Sequence, residues 1–232
     1  MIKELQRDVR KATNPERAEV MLRFFKTGKG EYGEGDIFLG LSVPQSRALA
    51  KKYLPLSFNE LQTLIKSKIH EERLIAVIIL ANRFAKATEE EQTKIYKFYL
   101  KNSKYVNNWD LVDSSAEYIV GAFTFTRDRK ILNKLVLSKS IWDRRIAIMA
   151  TFHYIKKGES RETLRLAKVL LNDKHDLIHK ATGWMLREVG SRVSEKDLLR
   201  FLDKNATSMP RTMLRYSLEK LSPKVRRHYM EL

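Results

Sequence analysis

The 232 residues carry 45 Lys and Arg against 28 Asp and Glu, a formal charge of +17, with 43% apolar residues and no cysteine. The missing cysteine excludes a disulfide framework, a thiolate nucleophile and a thiolate metal site, and no apolar run approaches the ~20 residues that cross a bilayer. The charge points to a polyanion, nucleic acid ahead of an anionic membrane surface, because the positive residues recur at helical positions and not in a tail.

Met1-Ile2-Lys3-Glu4-Leu5 lacks the apolar stretch of a signal peptide, which fits a cytoplasmic protein. Asn14-Pro15 reads as an N-cap followed by proline at the first helical position. Four of the nine glycines fall between Gly28 and Gly35, the one clear long loop, either a mobile surface segment or the lip of a groove. It lacks the GxxxxGK[ST] pattern of a phosphate-binding loop. Ser57 with Glu60, and Thr88 with Glu91, read as capping boxes, and Ser194 with Asp197 as a looser version. Leu74, Val77, Ile78 and Ala81 form one apolar stripe at helical spacing, and Ile146, Met149, Ala150 and His153 form another. No strand alternation stands out. The pattern predicts about a dozen helices in antiparallel pairs, with no domain boundary over residues 1–232.

A basic residue opening an apolar helix recurs at Arg73, Arg145, Lys180 and Arg211, at intervals of 72, 35 and 31. The first interval is two steps of 36, and the middle step lands on Trp109. A spacing in the thirties reads as an α-solenoid of HEAT-like repeats, somewhat shorter than the ~40–47 residues usual for them. Matching Trp109-Asp110 to Trp142-Asp143 gives 33 instead and keeps the same helix face. The concave wall of such a solenoid is expected to carry Arg73, Trp109, Asp113, Arg145, Lys180, Trp184 and Arg211, a basic curve suited to duplex phosphates.

Trp109 and Asp113 stand four residues apart, so on a helix they share a face. Two readings of Asp113 are level: an ordinary ion pair with an arginine, or a carboxylate that stabilises developing positive charge or orients a water. By the 36-residue step, Trp184 occupies the slot of Asp113. Trp109 and Trp184 share faces with charged residues and read as functional, whereas Trp142 reads as core. Asp110 and Asp143 read as helix-start acids. Of the adjacent Arg144 and Arg145, the repeat selects Arg145 as a phosphate clamp. His175 and His179 have metal-ligand spacing but no third ligand, so no metal is expected. Lys180 reads as a phosphate contact and not a Schiff base, since nothing evident would depress its pKa.

Trp109-Asp110-Leu111-Val112-Asp113, then Trp142-Asp143-Arg144-Arg145-Ile146-Ala147, then Lys180-Ala181-Thr182-Gly183-Trp184-Met185-Leu186-Arg187-Glu188 closely resemble the AlkD family of DNA alkylation repair proteins. Phe38-Leu39-Gly40-Leu41-Ser42-Val43-Pro44 and Arg23-Phe24-Phe25-Lys26 resemble its N-terminal signature, so the likeness spans nearly the whole chain. It implies a monofunctional, cofactor-free glycosylase that hydrolyses the N-glycosidic bond of N3- and N7-alkylated purines in double-stranded DNA and leaves the base stacked, unlike base-flipping enzymes. It assigns the catalytic carboxylate to Asp113, the sugar-packing indoles to Trp109 and Trp184, and backbone binding to Arg145. Phe24 and Arg187 join Lys180, Arg73 and Arg211 as DNA-contacting candidates. The family's aromatic at the Phe24 position is a tyrosine in its usual form, so its hydroxyl is missing here, and the Gly28–Gly35 loop is longer than in compact members. Relatives of the fold without the carboxylate bind DNA without excising bases. The alternatives are therefore a non-catalytic binder of branched or distorted DNA and a scaffold for acidic proteins. A monomer in the cytoplasm, associated with the nucleoid, is expected.

Overall fold

The computed structural model describes residues 1–232, which divide into two compact units, Met1–Ser115 and Ala116–Leu232. Both are helical, and the only strand-like feature is one parallel bridge between Ile37 and Ile69. No helix is long and apolar enough to cross a membrane.

The first unit contains α1 (Ile2–Lys11), α2 (Pro15–Phe24), α3 (Val43–Lys52), α4 (Phe58–Ile65), α5 (His70–Phe84), α6 (Glu89–Lys101) and α7 (Trp109–Asp113). Asn14 caps α2 by accepting from the Arg17 amide at 2.9 Å, with Pro15 in the first turn. Ser57 and Glu60 form the expected reciprocal box on α4, and Ser42 with Gln45 forms a second, unforeseen box on α3. The box expected on α6 is only half made. Thr88 accepts from the Glu91 amide, but the Glu91 carboxylate is drawn 2.7 Å from Arg83, a charged donor that outcompetes a backbone N–H.

Helix α5 is the centre of this unit. Thirteen of its fifteen residues are buried, so it meets solvent only at Asn82 and Arg83 in its last turn, and α3, α4 and α6 pack around it. The stripe from Leu74 to Ala81 is thus part of a stretch enclosed on all sides. Its buried Glu71 accepts from the amides of Leu39, Gly40 and Leu41 at 2.8–3.2 Å, tying the segment before α3 onto α5.

The second unit opens on a π-helical turn, Glu117–Gly121, which runs into α8 (Ala122–Phe125). Then come α9 (Lys130–Val136), α10 (Ile141–Lys156), α11 (Arg161–Val169), α12 (Asp176–Arg192), α13 (Glu195–Asn205), α14 (Arg211–Ser217) and α15 (Pro223–Met230). Helices α10, α12 and α14 pack in succession, with α11 and α13 laid against them. Glycine sets the closeness of this stack. A Cβ on Gly183 would lie 2.5 Å from the Met213 carbonyl oxygen and 2.6 Å from Tyr216 Cβ, on α14. Gly183→Ala is expected to destabilise the protein by about 2 kcal/mol, the scale of overpacking a close contact, seen as a lower urea midpoint at unchanged m-value.

Candidate functional site

Helix α7 has only five residues, too few to hold its own conformation. Its first turn is held from outside. Asn108 accepts from the Trp109 amide at 2.8 Å and donates to Asp36 at 3.3 Å. Asp110 accepts from the Leu111 amide at 2.8 Å and lies 2.7 Å from His70 Nε2. The other ring nitrogen of His70 is 3.2 Å from Asp36, whose second oxygen takes Arg73 Nη2 at 2.7 Å. This is a buried network of two carboxylates and two cations. Burial alone would raise the Asp36 carboxyl, but the His70 hydrogen bond and the Arg73 charge hold it below the usual carboxylate range. Burial alone would strip the His70 proton. The Asp110 charge and the bonds to Asp110 and Asp36 outweigh it and push the imidazole up to about 9.

A ladder of rings runs beside this network. His70 stacks on Phe38 with centroids 4.5 Å apart, Phe38 on Phe25 at 4.9 Å, and Phe25 on the Trp109 indole at 5.2 Å with planes 11° apart. Phe24, 62% exposed, meets the indole edge-on at 5.8 Å. Trp109 is therefore half-buried with one face backed by Phe25. Asp113, also half-buried, ends the same helix turn.

Counting from observed helix starts corrects the repeat register. Arg73 Nη1 donates to the Ser67 carbonyl at 2.8 Å, Arg144 Nη1 to the Ser138 carbonyl at 2.9 Å, and His179 Nε2 to the Asp173 carbonyl at 2.6 Å. Each is the fourth residue of its helix and reaches back six residues to the preceding turn. Arg73 therefore corresponds to Arg144 and not to Arg145. It is 3% exposed and spent on Asp36 and Ser67, so, contrary to the expectation from repeat spacing, it offers no surface to DNA. The fifth positions are Leu74, Asp113, Arg145, Lys180 and Arg215. Asp113 thus shares its slot with Lys180 and not with Trp184. Arg211 starts its helix and donates to the Met230 carbonyl at 2.8 Å, and the exposed Arg215, which sequence reading missed, takes the fifth position.

In the second unit Arg145 is 5% exposed and its Nη1 donates to the Leu177 carbonyl at 2.6 Å. That burial does not suit an open phosphate clamp. The bond instead anchors the first turn of α12, the helix that carries Lys180 and Trp184. Lys180, 41% exposed, pairs with Asp176 at 2.7 Å. Trp184 is half-buried, donates from its indole to Glu188 at 3.2 Å and lies 5.9 Å from the Phe152 ring. Arg187 pairs with the same Glu188 at 3.0 Å and with Glu219. Lys156 sits 4.5 Å above Phe152 and pairs with the buried Glu117 at 2.7 Å. Trp142 is buried, as expected of a core residue, and Asp143 stands in the first turn of α10, where it accepts from Ser138. His175 accepts from the Leu177 amide while His179 faces the Asp173 carbonyl, so the pair is engaged with backbone, and no group of three potential ligands gathers to hold a metal.

The sequence reading missed His70, Asp36 and Glu188. Asp36 and His70 come together across 34 residues through tertiary contact, with no local spacing to signal it. Glu188 stands four residues after Trp184, so its bond to the indole was a visible helical pairing.

The helix pairs and their repeated back-bonded turns define an all-α helical-repeat protein. Residues 5–221 match the family described as DNA alkylation repair enzyme, and the chain belongs to that family. Its role is accordingly DNA alkylation repair, with DNA as the substrate. A solved structure described as a predicted DNA alkylation repair enzyme from Enterococcus faecalis is similar in fold, with a TM-score of 0.71 and 18% identity, covering 91% of this chain and 97% of that one. No curated protein matches the chain.

Proposed function

We propose that the chain is a monofunctional DNA glycosylase for N3- and N7-alkylated purines. The observation that carries this reading is the pairing of a half-buried carboxylate, Asp113, with an aromatic-backed indole, Trp109, on one five-residue helix turn. An alkylated purine is already cationic. When its glycosidic bond breaks, the bonding electrons leave with the base and neutralise it, so no general acid is required. The sugar becomes oxocarbenium-like. A carboxylate and an indole face stabilise that cation, and the carboxylate takes a proton from the water that adds to C1′. In the second unit Trp184 is the other indole that the family resemblance assigns to the lesion's sugar. The reading needs no resident metal or redox group and no flipped base. It treats residues 1–232 as one working domain, monomeric and associated with the nucleoid.

For phosphate contact the reading uses the exposed Arg211 and Arg215 and the half-buried Lys180, which is paired with Asp176, with Arg187 partly committed to Glu188 and Glu219. Lys180→Ala is expected to weaken binding to duplexes of any sequence and to make the salt dependence shallower by about one ion. A titration of DNA binding across salt concentrations checks it, and an unchanged slope removes Lys180 from the interface.

Methylated duplex DNA incubated with the protein, followed by chromatography of freed bases, tests the function itself. Release of 3-methyladenine or 7-methylguanine is the expected result. Tight binding to junction DNA with no base released would favour the non-catalytic binder, and binding with no preference for DNA over other polyanions the scaffold.

A further inference from the structure

We propose that His70 is a positioning residue: clamped as an imidazolium between Asp36 and Asp110, it sets the first turn of α7 and thereby the aim of Trp109 and Asp113. The proposal rests on the glycosylase reading for its catalytic consequence, but the clamp can be measured without any base release.

His70 is 0% exposed, and both ring nitrogens face carboxylate oxygens, at 3.2 and 2.7 Å. A neutral imidazole has one N–H, so one nitrogen lone pair would then point at a carboxylate. Only the imidazolium donates to both. The charge balance agrees. Asp36 from the loop before α3 and Asp110 from α7 are opposed by Arg73 and His70 from α5, two against two. The remaining charged neighbours on α5 look elsewhere, Glu71 to the amides of Leu39–Leu41 and Glu72 to Gln6. Arg73 Nη2 also lies 3.5 Å from Nδ1, and its charge works against the imidazole proton, but the two carboxylates outweigh it. The remaining groups against the ring are neutral: Phe25 at 5.0 Å, Phe38 at 4.5 Å, and Asn108 through its bond to Asp36. Loss of the proton would leave an uncompensated buried negative charge.

His70 reaches the indole by two routes. One runs through the hydrogen bond to Asp110, the residue next to Trp109. The other runs through Phe25, which stacks on both the imidazole and the indole. A helix as short as α7 takes its orientation from such outside contacts. The same imidazole also binds Asp36, so α7 is tied to the loop before α3 as well as to α5. Because the folded imidazole titrates at about 9 against 6.5 unperturbed, the stabilisation it gives is complete below 6.5 and is lost as pH rises through about 9.

The test combines imidazole NMR with single-turnover base release from DNA containing 7-methylguanine, corrected for spontaneous loss at each pH. In the wild-type protein the His70 nitrogens, assigned by their loss in His70→Gln, should both remain protonated at pH 8 and titrate near 9, with the Trp109 indole resonance following the same midpoint. The excision rate should fall across that midpoint. His70→Gln, which carries no positive charge and presents an acceptor carbonyl where one ring N–H stood, should excise about tenfold more slowly at pH 7, the scale of one lost positioning hydrogen bond, without weakened DNA binding and without the alkaline fall. Asp110→Asn gives a second line if that variant does not fold, and it should move the His70 midpoint downward. A His70 midpoint near 6.5, or a Trp109 resonance indifferent to it, would overturn the clamp. If the wild type released no base while the NMR titrations behaved as expected, the glycosylase reading would fail and the clamp would stand as structure alone. A His70→Gln protein with wild-type rate and pH profile would refute the positioning role.

Discussion

Asp113→Asn is expected to slow excision of 7-methylguanine by at least about a hundredfold, the scale of removing one preorganised charge-stabilising group, while DNA affinity stays close to that of the wild type. The amide keeps the size of the carboxylate and its place at the end of α7, so folding is little disturbed. What it lacks is the negative charge that opposes the sugar cation and the basicity that takes a proton from water. An oxocarbenium-like sugar exists only as the bond breaks, so the loss falls on the chemical step and not on binding. Single-turnover rates with enzyme in excess, beside gel-shift affinities, separate the two. An unchanged rate would remove Asp113 from the chemistry.

The second large effect is expected at Arg73, and it is one of stability. Arg73→Ala should cost about 3 kcal/mol or more, because it strands one side of a buried ion pair. Asp36 would keep His70 and Asn108 but lose the guanidinium at 2.7 Å, and the Ser67 carbonyl would lose its donor. Urea unfolding measures the loss. The salt dependence of DNA binding should not change under conditions where the variant is folded. An arginine in contact with phosphate would behave the opposite way, with stability nearly intact and a slope shallower by about one. The two measurements on one variant therefore decide between the buried role and the surface role that sequence spacing suggested.

Much of the helical framework was readable along the chain because its causes are local. Caps act over three residues and apolar stripes over three and four, so Asn14-Pro15 and Ser57 with Glu60 announced their helices. The same rules misread Glu91, because its alternative partner, Arg83, precedes the cap and is presented by the neighbouring helix. The repeat spacing placed Arg73 one residue early and Arg211 four residues early. On a helix one position is about 100° of rotation, enough to turn Arg73 inward, and four positions are about one turn, which moves the fifth position from Arg211 to Arg215. Charged residues at adjacent positions look alike in a sequence. The Ser67, Ser138 and Asp173 turns, each back-bonded by the residue six later, give the correct count.

The sequence by itself determined an all-helical repeat, its family, and the one-turn spacing of Trp109 and Asp113, because each depends on residues close together in the chain or on motifs in order. Only the tertiary structure decided which cations are buried, that Phe25 backs the Trp109 indole, and that His70 joins Asp36 to Asp110. The reason is physical. Burial and ion pairing are set by which helices meet across dozens of residues, and a side chain's charge has the same appearance in the sequence whether its partner turns out to be solvent, a phosphate or a carboxylate from a distant loop.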